Sequence, residues 1–85
     1  MQKVKELLEK EPSIWFEIDP KDGKTFLKYA KRNGCKWLNG DEIDLRKDHC
    51  GFHMCVTSDL LLAFVPMFSW FYDKEKRAKA LKFKK

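Results

Sequence analysis

Hydrophobic positions along the chain change period several times, and each change marks an element. Val4, Leu7 and Leu8 stand at i, i+3 and i+4 among lysines and glutamates, the spacing of a short amphipathic helix that ends before Pro12. From Ile14 to Ile18 the period falls to two, with Ile14, Phe16 and Ile18 on one side of an expected strand and Trp15 and Glu17 on the other. Asp19-Pro20-Lys21-Asp22 reads as a helix start. Asp19 can accept from free backbone donors, Pro20 has no donor to lose, and Asp22 favours the positive end of the dipole. The helix runs to about Asn33 and stops at Gly34, with Phe26, Leu27 and Ala30 inward and Lys24, Lys28, Lys31 and Arg32 in water.

A second strand is expected over Cys35 to Leu38, ending in the turn Asn39-Gly40. Asp41, Glu42, Asp44 and Asp48 make the next stretch too polar for core, so it reads as a loop. Gly51 to Thr57 alternates again, with Phe52, Met54 and Val56 opposite His53 and Cys55, and Ser58-Asp59 turns it into an apolar strand from Leu60 to Val65. Pro66 to Tyr72 is ambiguous by period alone. The proline favours irregular or edge-strand structure, because it cannot donate to a central ladder. Asp73 then caps a last helix. The order α-β-α-β-β-β-α predicts a single α+β domain over residues 1–85, with a small, mainly antiparallel sheet of three to four strands covered by helices.

Composition adds the location of the charge. The 85 residues carry a net +5, yet residues 1–73 hold eleven Lys or Arg against twelve Asp or Glu, and residues 74–85 hold seven against one. The basicity therefore sits in Lys74, Lys76, Arg77, Lys79, Lys82, Lys84 and Lys85, a terminal helix or tail that reads either as a solvated face or as a contact for nucleic acid or an acidic partner. The first eleven residues lack the continuous apolar core of a secretory leader, and the apolar run Leu60 to Tyr72 is too short and too interrupted to span a bilayer. No membrane association and a cytoplasmic location are expected. An odd number of cysteines points the same way, to a reducing compartment with thiols rather than disulfides.

All three cysteines and both histidines fall between Cys35 and Cys55, about a quarter of the chain. Zinc takes four thiolate or imidazole ligands in a tetrahedron at about 2.0 to 2.3 Å, so Cys35, Cys50, His53 and Cys55 are a candidate Cys₃His site, with His49 as a substitute ligand. The other reading is buried core cysteines beside a surface histidine, since no CxxC or zinc-ribbon spacing is present. A Cys-His nucleophilic pair is disfavoured because side chains on one strand face stand about 7 Å apart. With no Gly-rich phosphate loop and no paired carboxylates at helical spacing in an apolar setting, a non-catalytic protein is expected.

Twelve aromatics give the stronger functional lead. Trp15 lies opposite the apolar face of its strand, and Trp70, Phe71 and Tyr72 crowd one short stretch with Phe68, making them candidate partner-binding anchors unless helices cover both sheet faces. The pattern Phe26-x-x-x-Ala30-x-x-x-Gly34-x-x-Trp37-x-x-Gly40, a helix feeding a Trp-bearing strand, resembles small proteins of bacteriophages and mobile elements, over about Ile14 to Tyr72. Compact α+β proteins of that style include anti-CRISPR and other anti-defence inhibitors. The resemblance implies a protein-binding inhibitor acting in the host cytoplasm on a CRISPR effector nuclease. Many such inhibitors are acidic, and the basic end departs from that. The alternative is a small nucleic-acid-binding accessory protein using residues 74–85, a function that deleting the basic end would abolish while sparing an aromatic interface.

Overall fold

Strand alternation sets the layers of this protein, because each strand must send its apolar residues to one side of the sheet. A computed structural model describes residues 2–83, and for Gln2 and Lys3 the backbone alone. The elements are α1 (Gln2–Leu8), β1 (Ser13–Ile18), a 3₁₀ turn (Pro20–Asp22), α2 (Gly23–Arg32), β2 (Lys36–Trp37), β3 (His53–Thr57), β4 (Leu61–Phe64), α3 (Met67–Tyr72), α4 (Lys74–Ala78) and β5 (Leu81–Phe83).

The five strands form one sheet in the order β2-β4-β3-β1-β5. β1 pairs antiparallel with β3, placing Phe16 opposite Met54 and Glu17 opposite His53, and β3 pairs antiparallel with β4. Both edges are parallel: β5 joins β1 and β2 joins β4. Ile14, Phe16, Ile18, Met54, Val56 and Leu62 point to one face, where Val4 and Leu8 of α1 and Phe26, Leu27 and Ala30 of α2 bury them. Across this core Phe26 meets Phe16 at 5.2 Å and takes the edge of Phe83 at 5.2 Å. α3 and α4 cover part of the opposite face, so the layers run helix, sheet, helix.

The α+β class agrees with expectation, but the sheet is mixed and five-stranded rather than mainly antiparallel with three to four strands. The difference lies in the basic C-terminal segment. Its helix stops at Ala78, and Leu81 and Phe83 continue as a strand beside Phe16 and Ile18. Three residues are too few for alternation to stand out among helix-favouring lysines and alanines, and only the free edge of β1 supplies the pairing. Lys84 and Lys85 lie outside the described residues. Deleting the basic end therefore removes a sheet edge together with its charge, and such a deletion does not separate the two functions.

Two further expectations change. Pro66 does not open an edge strand. It caps α3, whose first helical bond runs from Trp70 N–H to Pro66 O at 3.0 Å. Within the acidic loop, Ile43 is fully buried in the core, and Lys31 Nζ donates to its carbonyl at 2.6 Å, clamping the loop to α2. Asp73 accepts from Lys76 N–H and Gly34 takes φ +88° just past α2, as expected, whereas Asp19 accepts from Lys21 N–H at the head of the 3₁₀ turn and α2 itself starts at Gly23 with no side-chain cap from Asp22.

Because Ile43 fills core volume, Ile43→Ala should destabilise the fold by about 2–5 kcal/mol in urea unfolding, as for other buried aliphatic truncations. A solvent loop would leave the change within about 0.5 kcal/mol.

Candidate functional site

The face of the sheet opposite the core carries Ser13, Trp15 and Glu17 from β1 and His53, Cys55 and Thr57 from β3, the alternate residues of each strand. Trp70 of α3 lies flat on this face. Its ring stacks on His53 at 3.8 Å and 14° and on Trp15 at 5.5 Å and 21°. Only 6 % of Trp70 remains exposed, so it holds the helix down instead of presenting itself to a partner, and Trp15 beneath it is half-buried.

Lys76 fastens the next helix. Its Nζ donates to Ser13 O at 2.9 Å and to Ser13 Oγ at 2.7 Å, tying α4 to the start of β1. Lys79 pairs with Glu11 at 2.8 Å, which holds that carboxyl below and the ammonium above their usual ranges. Arg77 donates to Phe71 O at 3.4 Å and stands 5.8 Å from the centre of the Phe71 ring. Of the basic residues proposed for nucleic acid, Lys76, Arg77, Lys79 and Lys82 are thus engaged within the fold, and Lys74 is exposed.

With Trp70 turned inward, the rest of α3 faces out. Met67 and Phe71, one helical turn apart, border an open groove of about 1060 Å³ whose floor includes Glu17, His53 and Lys82 and whose far side includes Phe52. Lys82 and Glu17 pair across that floor at 3.8 Å. Phe68 and Tyr72 form a second ridge on the opposite side, over a shallower hollow of about 410 Å³ that reaches Trp15. Exposure is 58 % for Met67, 76 % for Phe68, 60 % for Phe71, 89 % for Tyr72 and 58 % for Phe52. Of the four expected anchors, Phe71 and Tyr72 face outward, while Trp15 and Trp70 are spent on internal stacking. Met67, Phe68 and Phe52 join the surface. Its signal in the sequence is the proline ahead of a run with no β-branched residue, which is how a helix of this length begins.

The candidate zinc ligands do not converge. Cys35 is buried beside α2 and Cys50 packs against the same core, its Cβ 3.1 Å from where a side chain on Gly23 would begin. His53 and Cys55 point to the other face, and His49 is exposed in the loop. Among the described residues no three of His, Cys, Asp and Glu come close enough to share a metal ion. Burial raises all three thiols, Cys50 to about 11 with its Sγ donating to Gly51 O at 3.3 Å. Around Cys55 a hydrogen bond with Ser13 and the charge of Lys76 oppose that rise. As folded, these four residues do not fit one zinc ion.

No helix among the described residues is long and apolar enough to cross a membrane. No protein-family model matches the chain, and neither does any curated protein or solved structure.

Two outcomes follow from this geometry. Packing under Trp70 strips water from His53 and lowers its pKa from 6.5, with Glu17 opposing. The folded state then binds the proton less readily than the unfolded chain, so stability is full above the unfolded value and declines as pH falls through the folded one. Melting should weaken as pH falls below about 6.5, a decrement that His53→Gln removes, as thermal melts followed by tryptophan fluorescence will read. Separately, Cys55→Ala should cost on the order of 1 kcal/mol, with the melting temperature unmoved by chelator and fewer than about one zinc per ten chains by elemental analysis. Stoichiometric zinc with chelator-sensitive melting would show that the four ligands rearrange to meet.

Proposed function

We propose that this chain is a non-catalytic protein-binding module whose docking face is the outer side of α3. The observation that carries the reading is the exposure of Met67, Phe68, Phe71 and Tyr72 together on one six-residue helix, with Phe52 across the groove. Large apolar side chains gathered at one place cost solubility and return nothing to the fold, whereas aromatics beside an arginine are the composition of interface anchors. Arg77 against Phe71 supplies that arginine. Trp70 holds the helix to the sheet from below, so little backbone freedom remains to be lost on binding.

Resemblance to anti-CRISPR and other anti-defence inhibitors narrows the partner to a CRISPR effector nuclease of the host, which the module would inhibit by occupying a working surface. Nothing in this mode requires chemistry from the chain. The competing use of residues 74–85 for nucleic acid is weakened by the internal partners of Lys76, Lys79 and Lys82.

The test is a binding titration of purified CRISPR effector nucleases against the wild type and a Phe68→Ala/Phe71→Ala/Tyr72→Ala variant. Loss of about 100-fold or more in affinity is expected, corresponding to about 3 kcal/mol, with a melting temperature close to wild type because the three side chains are outside the core. Equal binding by the variant, or no binding by any nuclease in the panel, would overturn the proposal at the surface or at the partner respectively.

A further inference from the structure

The fold treats the cations of this chain in two different ways. Within residues 74–83, Lys76 on Ser13, Lys79 on Glu11 and Lys82 on Glu17 serve as internal tethers, while Lys74 is exposed. The cations of α2, Lys31 apart, are not tethers. Lys24, Lys28, Lys31 and Arg32 recur at i, i+4, i+7 and i+8 on the side opposite Phe26, Leu27 and Ala30, and all four are exposed. Lys21, in the 3₁₀ turn just ahead, is exposed as well. Lys31 spends one donor on Ile43 O, but no ion pair among the described residues engages Lys21, Lys24, Lys28 or Arg32.

Local physics gives little return on this row: Lys31 and Arg32, in the last turn, suit the negative end of the helix dipole, and the other members gain nothing from it. α2 contains no Asp or Glu, so the one-turn neighbours Lys24 and Lys28, and Lys28 and Arg32, repel each other with no ion pair to offset them. Lys24 also stands in the first turn, against the positive end of the helix dipole. Carboxylates lie at both ends of the row: Asp19 and Asp22 on either side of Lys21, and the loop of Asp41, Glu42 and Asp44 that Lys31 holds near its C-terminal end. A line of cations that repel one another along the helix and support no packing is accounted for by a polyanion.

We propose that Lys21, Lys24, Lys28 and Arg32 contact the phosphate backbone of double-stranded DNA. Steps of three to four residues at a rise of about 1.5 Å set these charges about 4.5 to 6 Å apart along a line, and a duplex offers a phosphate charge about every 1.7 Å of its axis, dense enough to meet each of them. A single strand is the poorer fit, because it is held by aromatic stacking and both aromatics of this helix pack against Phe83, Phe26 at 5.2 Å and Tyr29 at 5.7 Å. The four side chains give a contact that follows charge and not sequence. The row lies on the core side of the sheet and α3 on the other, so this surface stands or falls independently of the protein-binding face.

Titrating a labelled 20-base-pair duplex by fluorescence anisotropy at several salt concentrations tests it. Four phosphate contacts predict a slope of log K against log salt of about −3.6, and Lys24→Gln/Lys28→Gln should bring it to about −1.8. Lys79→Gln, which removes a cation already paired with Glu11, should leave the slope at the wild-type value. The side chains changed on α2 are exposed and unpaired, so matching circular dichroism and melting curves will show that the fold is kept. A wild-type slope shallower than about −1, or a slope indifferent to the α2 substitutions, overturns the proposal. So does equal affinity for single-stranded DNA, polyglutamate or phosphatidylserine vesicles at the same salt.

Discussion

The indole of Trp70, lying flat on Trp15 and His53, is what allows so short a chain to cover both faces of its sheet. α3 has six residues and α4 has five, too few for either to be stable alone or to offer a broad apolar stripe. One large ring supplies the contact instead, and Lys76 on Ser13 supplies a polar fastening close by. Once Trp70 is down, helical geometry leaves no choice for its neighbours. Met67 and Phe71 must border one flank, and Phe68 and Tyr72 must point away. The exposed aromatic surface is thus a direct consequence of the buried stack.

A second consequence concerns charge. Lys76, Lys79 and Lys82 meet acceptors because β5 returns the chain to β1 and α4 crosses the start of that strand, so Ser13, Glu11 and Glu17 are within reach. α2 faces outward along its whole polar side and has no acidic residue of its own. In the segment with the larger formal charge, Lys76, Arg77, Lys79 and Lys82 are therefore engaged internally, and a row of unpaired cations lies elsewhere, on α2. Net charge by segment does not convey this, because pairing depends on which residues the sheet brings together.

Clustering of cysteine and histidine illustrates the same limit. His53 and Cys55 are two residues apart and share a face, as strand geometry requires, while Cys35 and Cys50 belong to the core on the other side. Proximity in sequence became separation in space across one sheet. Buried without a cationic neighbour strong enough to lower them, the thiols stay protonated at neutral pH and behave as small apolar side chains.

Elements whose information is local were legible in the sequence by itself: α1 from the spacing of Val4, Leu7 and Leu8, β1 and β3 from strict alternation, α2 from its apolar stripe, and the caps at Asp19, Gly34 and Asp73. In these the side chains and the backbone they sit on favour the same conformation, so the local pattern indicates the state that packing then stabilises. β5, the helical state of Met67–Tyr72 and the burial of Ile43 were decided by tertiary structure. Leu81 and Phe83 form a strand beside the open edge of β1, the aromatic run forms a helix where Trp70 meets Trp15 and His53, and Ile43 enters the core where its loop meets α2, with Lys31 donating to its carbonyl. The candidate site followed the same division: the sequence marked the aromatic stretch, but which aromatics bury and which remain outside depends on a rotation about α3 that a single long-range stack determines.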